Sequence, residues 1–212
     1  MLDVRSTTFG TTTLEDSAAD VDVTMSEKGK KRPHAKAYWS LLRPENIPAS
    51  FGLVAAGALV ASHTVASLLD AKVILTAVAA ASISVGSCVL NDWFDVELDR
   101  INKPGRPLVT GEVAPQHALA IGLAFLVTAI VSASAVHPAA LQATIIASVA
   151  LTSAYTPLLK PVPVVKNVVV AAVIAAAIAA GGLAAGAGVT STIAPTCLTF
   201  FVIGKGEYTD ME

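Results

Sequence analysis

The chain has 212 residues, of which 54% are hydrophobic and only 14% charged, and its mean hydropathy is +0.66. A soluble domain of this size would carry roughly a quarter charged residues. The formal net charge of −2 lacks the basic footprint that phosphate-backbone binding requires, which excludes nucleic acid as a partner.

Residues 1–37 are rich in Ser, Thr, Asp and Glu and turn basic at Lys28, Lys30, Lys31, Arg32 and Lys36. This composition predicts a disordered, water-exposed polar tail. It has no apolar stretch of the kind a secretory signal carries. Its acids (Asp3, Glu15, Asp16, Asp20 and Asp22) do not suit an organelle transit peptide.

From residue 38 onward the hydropathy predicts one membrane domain, 38–212, with spans at 47–69, 73–90, 118–136, 141–159, 164–185 and 192–204. These Ala-, Val- and Leu-rich runs exceed ordinary strand length. A backbone crossing hydrocarbon alone satisfies its own hydrogen bonds as a helix. The expected fold is therefore all-α, a multi-pass transmembrane helical bundle of about six spans. Gly181, Gly182, Gly186 and Gly188 are expected to let helices approach closely. Lys and Arg fall in the tail, the 91–117 and 160–166 connections and the C-terminus, whereas the alternate connections hold only Lys72. The positive-inside rule then puts the N-terminus on the cytoplasmic or equivalent side.

The second span ends in N-D-W-F-D-V-E-L-D-R-I-N-K-P-G-R-P-L-V-T-G, residues 91–111. If the helix continues, Asn91, Asp92, Asp95 and Asp99 lie within an arc of about 100°. Carboxylates crowded on one face at a membrane boundary repel one another, and a divalent cation removes that repulsion. Mg²⁺ suits one or two carboxylates plus the oxygens of a substrate phosphate. Lys103 and Arg106 follow between Pro104 and Pro107, as cations fit to grip a phosphate-bearing ligand. The chemistry this suggests is departure of a diphosphate, with an apolar bundle holding a lipid tail away from water. A cation transporter would instead place acids near mid-span, and the spans are almost free of them. His34, His63, His117 and His137 have no partner at ligand spacing. Cys88 and Cys197 stand far apart and imply no disulfide framework.

The 91–111 run resembles the first signature of the UbiA-type prenyltransferases, N-D-x-x-D-x-x-x-D followed by a basic R-P-L segment and Gly. The matching residues are Asn91, Asp92, Asp95, Asp99, Arg106, Pro107, Leu108 and Gly111. R-P-E-N at residues 43–46 is similar to the start of that family's first helix. Tyr155, Lys160, Lys166 and Asn167 are similar to its pattern between helices four and five. The resemblance implies a bundle of nine spans in which two Asp-rich motifs face one cavity and hold Mg²⁺. An isoprenyl diphosphate would give up its prenyl group there to a small aromatic or polar-lipid acceptor. Carried over residue by residue, Asn91, Asp95 and Asp99, then Asp92, would hold metal. Arg43, Arg106, Lys160 and Lys103 would hold diphosphate, and Asn46, Tyr155 and Asn167 would line the pocket.

The resemblance departs at the C-terminus. The family's second motif, R-E-x-x-x-D-x-x-D-x-x-x-D, is expected after the sixth span, where G-K-G-E-Y-T-D-M-E stands. Aligning Asp210 with the first acid makes it a further metal candidate, with Lys205 in place of Arg and Gly206 in place of Glu. The expectation is a C-terminally truncated chain of about six spans out of nine, inactive by itself. The alternative is a non-catalytic membrane scaffold on the same bundle.

Overall fold

The structure, a computed structural model, describes residues 34–155 and 163–209, with side chains over 35–155 and 168–202. Residues 1–33 of the expected polar tail, Lys160 and Asp210 lie outside the described residues, as do the side chains of Lys166 and Asn167, whereas residues 34–37, placed in the tail by composition, belong to a helix that buries Ala37. The described residues form helices and their connections, without a strand: α1 His34–Leu42, α2 Asn46–Ser62, a short 3₁₀ helix Val65–Leu69, α3 Ala71–Phe94, α4 Val96–Asn102, α5 Pro115–Ser134, α6 Ala139–Ala154, α7 Pro163–Ala184 and α8 Val189–Thr209.

Local chemistry sets most boundaries. α1 buries Ala37 and Leu41, one turn apart, and leaves Trp39 outward. The chain then reverses through Arg43, whose φ of 47° is left-handed. Pro48 falls in the first turn of α2, where its missing N–H has no helical partner to lose. Asp70 caps α3, its carboxylate accepting from the Lys72 N–H at 2.8 Å. Pro115 opens α5 at a position that suits its fixed φ.

The first span is shorter than the expected 47–69. α2 stops at Ser62, with His63 left-handed at φ 54° and its N–H on the Leu59 carbonyl at 2.9 Å. Ser62 Oγ meets the Ala58 carbonyl, the Thr64 carbonyl and Ser67 Oγ, and Thr64 Oγ1 accepts from the Ala66 N–H. These hydroxyl bonds compete with continued helix, a contest hydropathy does not register. α8, in contrast, is longer than the expected 192–204 and runs Val189–Thr209 with Pro195 inside it.

α3 has 24 residues, about 36 Å at 1.5 Å per residue, against a hydrocarbon layer of about 30 Å. Its last turn, bearing Asn91 and Asp92, therefore projects to the boundary. α3 and α5 are each long and apolar enough to cross a membrane, and Ala139–Ala154, Val168–Ala184 and Val189–Val202 are shorter apolar helices. On α5, Leu123, Val127, Ile130 and Val131 make an exposed apolar stripe at helical spacing. Such a face suits lipid rather than water.

α3 packs mainly on α5, and α2 on α7. The α2–α7 crossing is set by two glycines. A Cβ on Gly57 would stand 2.0 Å from the Ile178 carbonyl oxygen, and one on Gly181 would stand 2.0 Å from that of Val54. A Cβ on Gly182 would stand 2.8 Å from Thr192 Cγ2. Gly186, expected to serve packing, instead takes φ 89° where α7 ends, and Gly188 makes only ordinary contacts in the turn before α8. One core joins α2, α3, α5, α6 and α7 around Val54, Ile83, Leu126 and Leu141. A second joins Ala37 and Leu41 of α1 to Val85 and Val89 of α3 and to Leu108 and Val113 of the 103–114 connection. Leu41 is 1% exposed, so Leu41→Ala is expected to cost about 2–5 kcal/mol, read as a lowered thermal midpoint in detergent.

Candidate functional site

A cavity of about 420 Å³ runs between α2, α3, α6 and α7. On α3 its lining extends from Thr76 to Asn91, about 22 Å along the helix axis. Arg43, Asn46, Asn91 and Tyr155 stand at one end, and Ala80, Ile145 and Ala180 lie deeper. Five of the hydroxyls along its wall are turned to their own helices. Ser50 donates to the Asn46 carbonyl, Thr76 to Lys72, Ser87 to Ser84, Thr144 to Ala140 and Ser148 to Thr144. A wall whose hydroxyl protons are already engaged presents little polarity to a ligand. Thr152 Oγ1 is the exception, buried without a hydrogen-bond partner among the described residues.

The charged groups gather at the Asn91 end. The helical hydrogen bonds carry across the α3–α4 junction: Asp95 N–H meets the Asn91 carbonyl at 3.0 Å, and Asp99 N–H meets Asp95 at 2.7 Å. The expected face is thus present, but its members have different partners. Asn91 Nδ2 donates to Asp95 Oδ2 at 2.9 Å. Asp92, 4% exposed, accepts from Arg43 Nη2 on both oxygens, at 2.7 and 3.0 Å, and from Arg106 Nη1 at 2.5 Å. The same Arg106 nitrogen reaches Asp99 Oδ2 at 2.6 Å. Removing one member of such a buried network strands its partners and costs about 3–5 kcal/mol. The bonds from Arg43 Nη2 to both Asp92 oxygens also offset the left-handed backbone of Arg43, a conformation costing about 1–2 kcal/mol.

The 103–113 connection carries Arg106 to this point. Arg106 N–H bonds the Lys103 carbonyl, Thr110 N–H bonds Arg106, and Val113 N–H bonds Pro107, while Leu108 and Val113 anchor in the second core. Lys103 itself is exposed. Among the described residues no three His, Cys, Asp or Glu side chains form a metal-holding group. Arg106 instead bridges Asp92 and Asp99.

Of the sites expected from sequence, Arg43, Asn46, Asn91 and Tyr155 line the cavity. Asp92, Asp99 and Arg106 stand beside it in one ion network, with Asp95 bonded to Asn91. Lys160, Asp210 and the Asn167 side chain lie outside the described residues. Among the lining residues not anticipated are Cys88 and Thr152. Cys88 accepts a 3.6 Å contact from Asn46 Nδ2, and Thr152 stands beside Tyr155 on the wall. Spacing held a signal for both. Thr76, Ala80, Ser84 and Cys88 recur every fourth residue, as do Thr144, Ser148 and Thr152, so small or hydroxyl groups mark the cavity face of each helix.

The chain is thus a helical bundle with an apolar cavity whose polar end stands beside carboxylates and guanidiniums. The sequence profile of the UbiA prenyltransferase family matches residues 50–206, and the chain belongs to this family. It is similar to the digeranylgeranylglyceryl phosphate synthases of Sulfurisphaera tokodaii, 35% identical over 45% of this chain and 34% of the relative, and of Ignicoccus hospitalis, 35% identical over 48% and 31%. The match spans about a third of the length of these curated relatives. The fold is similar to that of a solved digeranylgeranylglyceryl phosphate synthase, at TM-score 0.73 and 23% identity, covering 81% of this chain and 60% of that one. It is also similar to a UbiA homologue from Archaeoglobus fulgidus bound to DMAPP and Mg²⁺, at TM-score 0.62 and 23% identity, covering 79% and 60%.

Proposed function

We propose that this chain contributes to Mg²⁺-dependent transfer of an isoprenyl group, within the membrane, from a prenyl diphosphate to a polar-lipid acceptor of the glycerol-phosphate kind. The observation that carries the reading is the junction itself: a long apolar cavity whose polar end is lined by Arg43, Asn46 and Asn91, with Asp95 bonded to Asn91 and Arg43 joined through Asp92 to Arg106 and Asp99. The A. fulgidus homologue binds DMAPP or GPP together with Mg²⁺, and the curated relatives bear the name of a glycerol-phosphate lipid synthase. Both support the choice of ligands. The N-terminal side of the bundle is read as cytoplasmic or equivalent, on the distribution of Lys and Arg.

The donor set fits the metal in kind, because carboxylate and amide oxygens are hard ligands of the sort Mg²⁺ takes. Asn91, Asp95 and Asp99 would hold it, with Asp210 a further candidate on the family pattern. When bound, Mg²⁺ supplies charge stabilisation to the departing diphosphate. The chain's own residues do the rest. Arg106 and Lys103, with Lys160, would accept the negative charge that grows on the leaving group as the prenyl C–O bond breaks. The lining of Leu53, Ile83, Val173 and Ile174 holds the hydrocarbon and excludes water from the electron-poor carbon. Asn46, Tyr155 and Asn167 would hold the head of the ligand.

Cys88 reports on occupancy of this cavity. In a Cys197→Ser background, maleimide labelling of Cys88 is expected to slow about tenfold or more when geranyl or geranylgeranyl diphosphate and Mg²⁺ are added. Mg²⁺ with inorganic diphosphate alone should protect it far less. Equal labelling with and without prenyl diphosphate would refute the reading.

A further inference from the structure

Six of the residues marked for ligand binding are bonded in two sets, Arg43, Asp92, Arg106 and Asp99 in one and Asn91 with Asp95 in the other. Asp92 is buried, and three charge-assisted hydrogen bonds from two arginines occupy its two oxygens. An acid so engaged has little left to offer a cation. What it does have is a grip on two segments far apart in sequence. It holds Arg43 at the left-handed corner between α1 and α2, and it holds Arg106 on the connection after α4. Arg43 reaches the cavity lining directly. Arg106 is shared with Asp99, so a ligand that draws Asp99 away still leaves Arg106 tethered.

We infer that Asp92 is a positioning residue rather than a metal ligand: it aims Arg43 and Arg106 at the mouth of the cavity, where they meet the anionic head of the substrate. This inference rests on the prenyl-diphosphate reading above. The Arg106–Asp99 bond is the one exchanged on ligand binding, and the Arg106–Asp92 bond is the one kept. Asp95 and Asp99, with Asn91, then form a separate group that answers to the cation.

The test separates the two groups by what each variant shifts. Binding of a fluorescent geranyl diphosphate analogue is measured in detergent while Mg²⁺ and analogue are each titrated at saturation of the other. Asp92→Asn is expected to weaken analogue binding about 10- to 100-fold, the range for losing a group that orients a ligand-binding side chain. It should leave the half-saturating Mg²⁺ concentration within about twofold of the unaltered chain, an allowance for ordinary non-additivity. Asp95→Asn should do the reverse and raise the Mg²⁺ requirement. Adding Arg43→Gln to Asp92→Asn should weaken analogue binding by less than Arg43→Gln does alone, because the two act through one bond. If Asp92→Asn by itself does not fold, this double variant removes the stranded guanidinium and carries the same comparison. A Mg²⁺ requirement raised by Asp92→Asn, or by the double variant, as far as by Asp95→Asn would overturn the assignment. Failure of the unaltered chain to bind the analogue at any Mg²⁺ concentration would instead overturn the proposed function beneath it.

Discussion

Asp95→Ala is expected to lower Mg²⁺-dependent release of diphosphate from a prenyl diphosphate by about 100- to 1000-fold in the protein that carries this chain, the scale of losing one preorganised electrostatic group. Asp95 sits at the α3–α4 junction, and its carboxylate lies against Asn91, which lines the cavity. It belongs to neither hydrophobic core, so its loss should leave the thermal midpoint nearly unchanged. Asp99→Ala should match it in activity but differ in stability. Asp99 is buried against Arg106, and its removal leaves that guanidinium with Asp92 alone. The check is diphosphate release in liposomes alongside thermal unfolding of each variant. Full activity in Asp95→Ala would remove the functional reading of the whole acidic run.

Gly57→Ala and Gly181→Ala should each destabilise the bundle by forcing two helices apart. Each added Cβ would lie 2.0 Å from a carbonyl oxygen of the facing helix, and backbone oxygen cannot swing aside as a flexible side chain can. α2 and α7 must separate, at about 1–3 kcal/mol per site for overpacking. The double variant should lose less than the sum, because one separation relieves both contacts. Thermal unfolding of the three variants tests this, with Gly52→Ala as the control, since nothing lies within 4 Å of a Cβ at that position. α2 and α7 also wall the cavity, so the two substitutions should widen it and weaken protection of Cys88.

Much of this was legible because it depends on neighbours in the chain. Hydropathy marked a helix at every expected span, and Pro44, Asp70 and Pro115 stand close to helix boundaries. The failures are equally specific. The end of α2 was placed seven residues late, since Ser62, Thr64 and Ser67 form a hydroxyl cluster whose effect depends on geometry, not on apolarity. Gly57 was not singled out, although it closes the tightest crossing. An isolated glycine in an Ala-rich helix carries no mark of which face it occupies.

For the site, the amino-acid order alone determined the composition of the acidic run, its place at the tip of a long apolar helix and the cations that follow it. Those are properties of local spacing, and helical periodicity converts spacing into a shared face. Which carboxylate meets which cation was decided only by the tertiary structure. Arg43 lies 49 positions from Asp92 and Arg106 lies 14, and both reach it because α1 docks on α3 and the 103–113 connection folds back onto the same core. Ion pairs form across space where burial makes an unpartnered charge untenable, and burial is a property of the packed bundle rather than of any one segment.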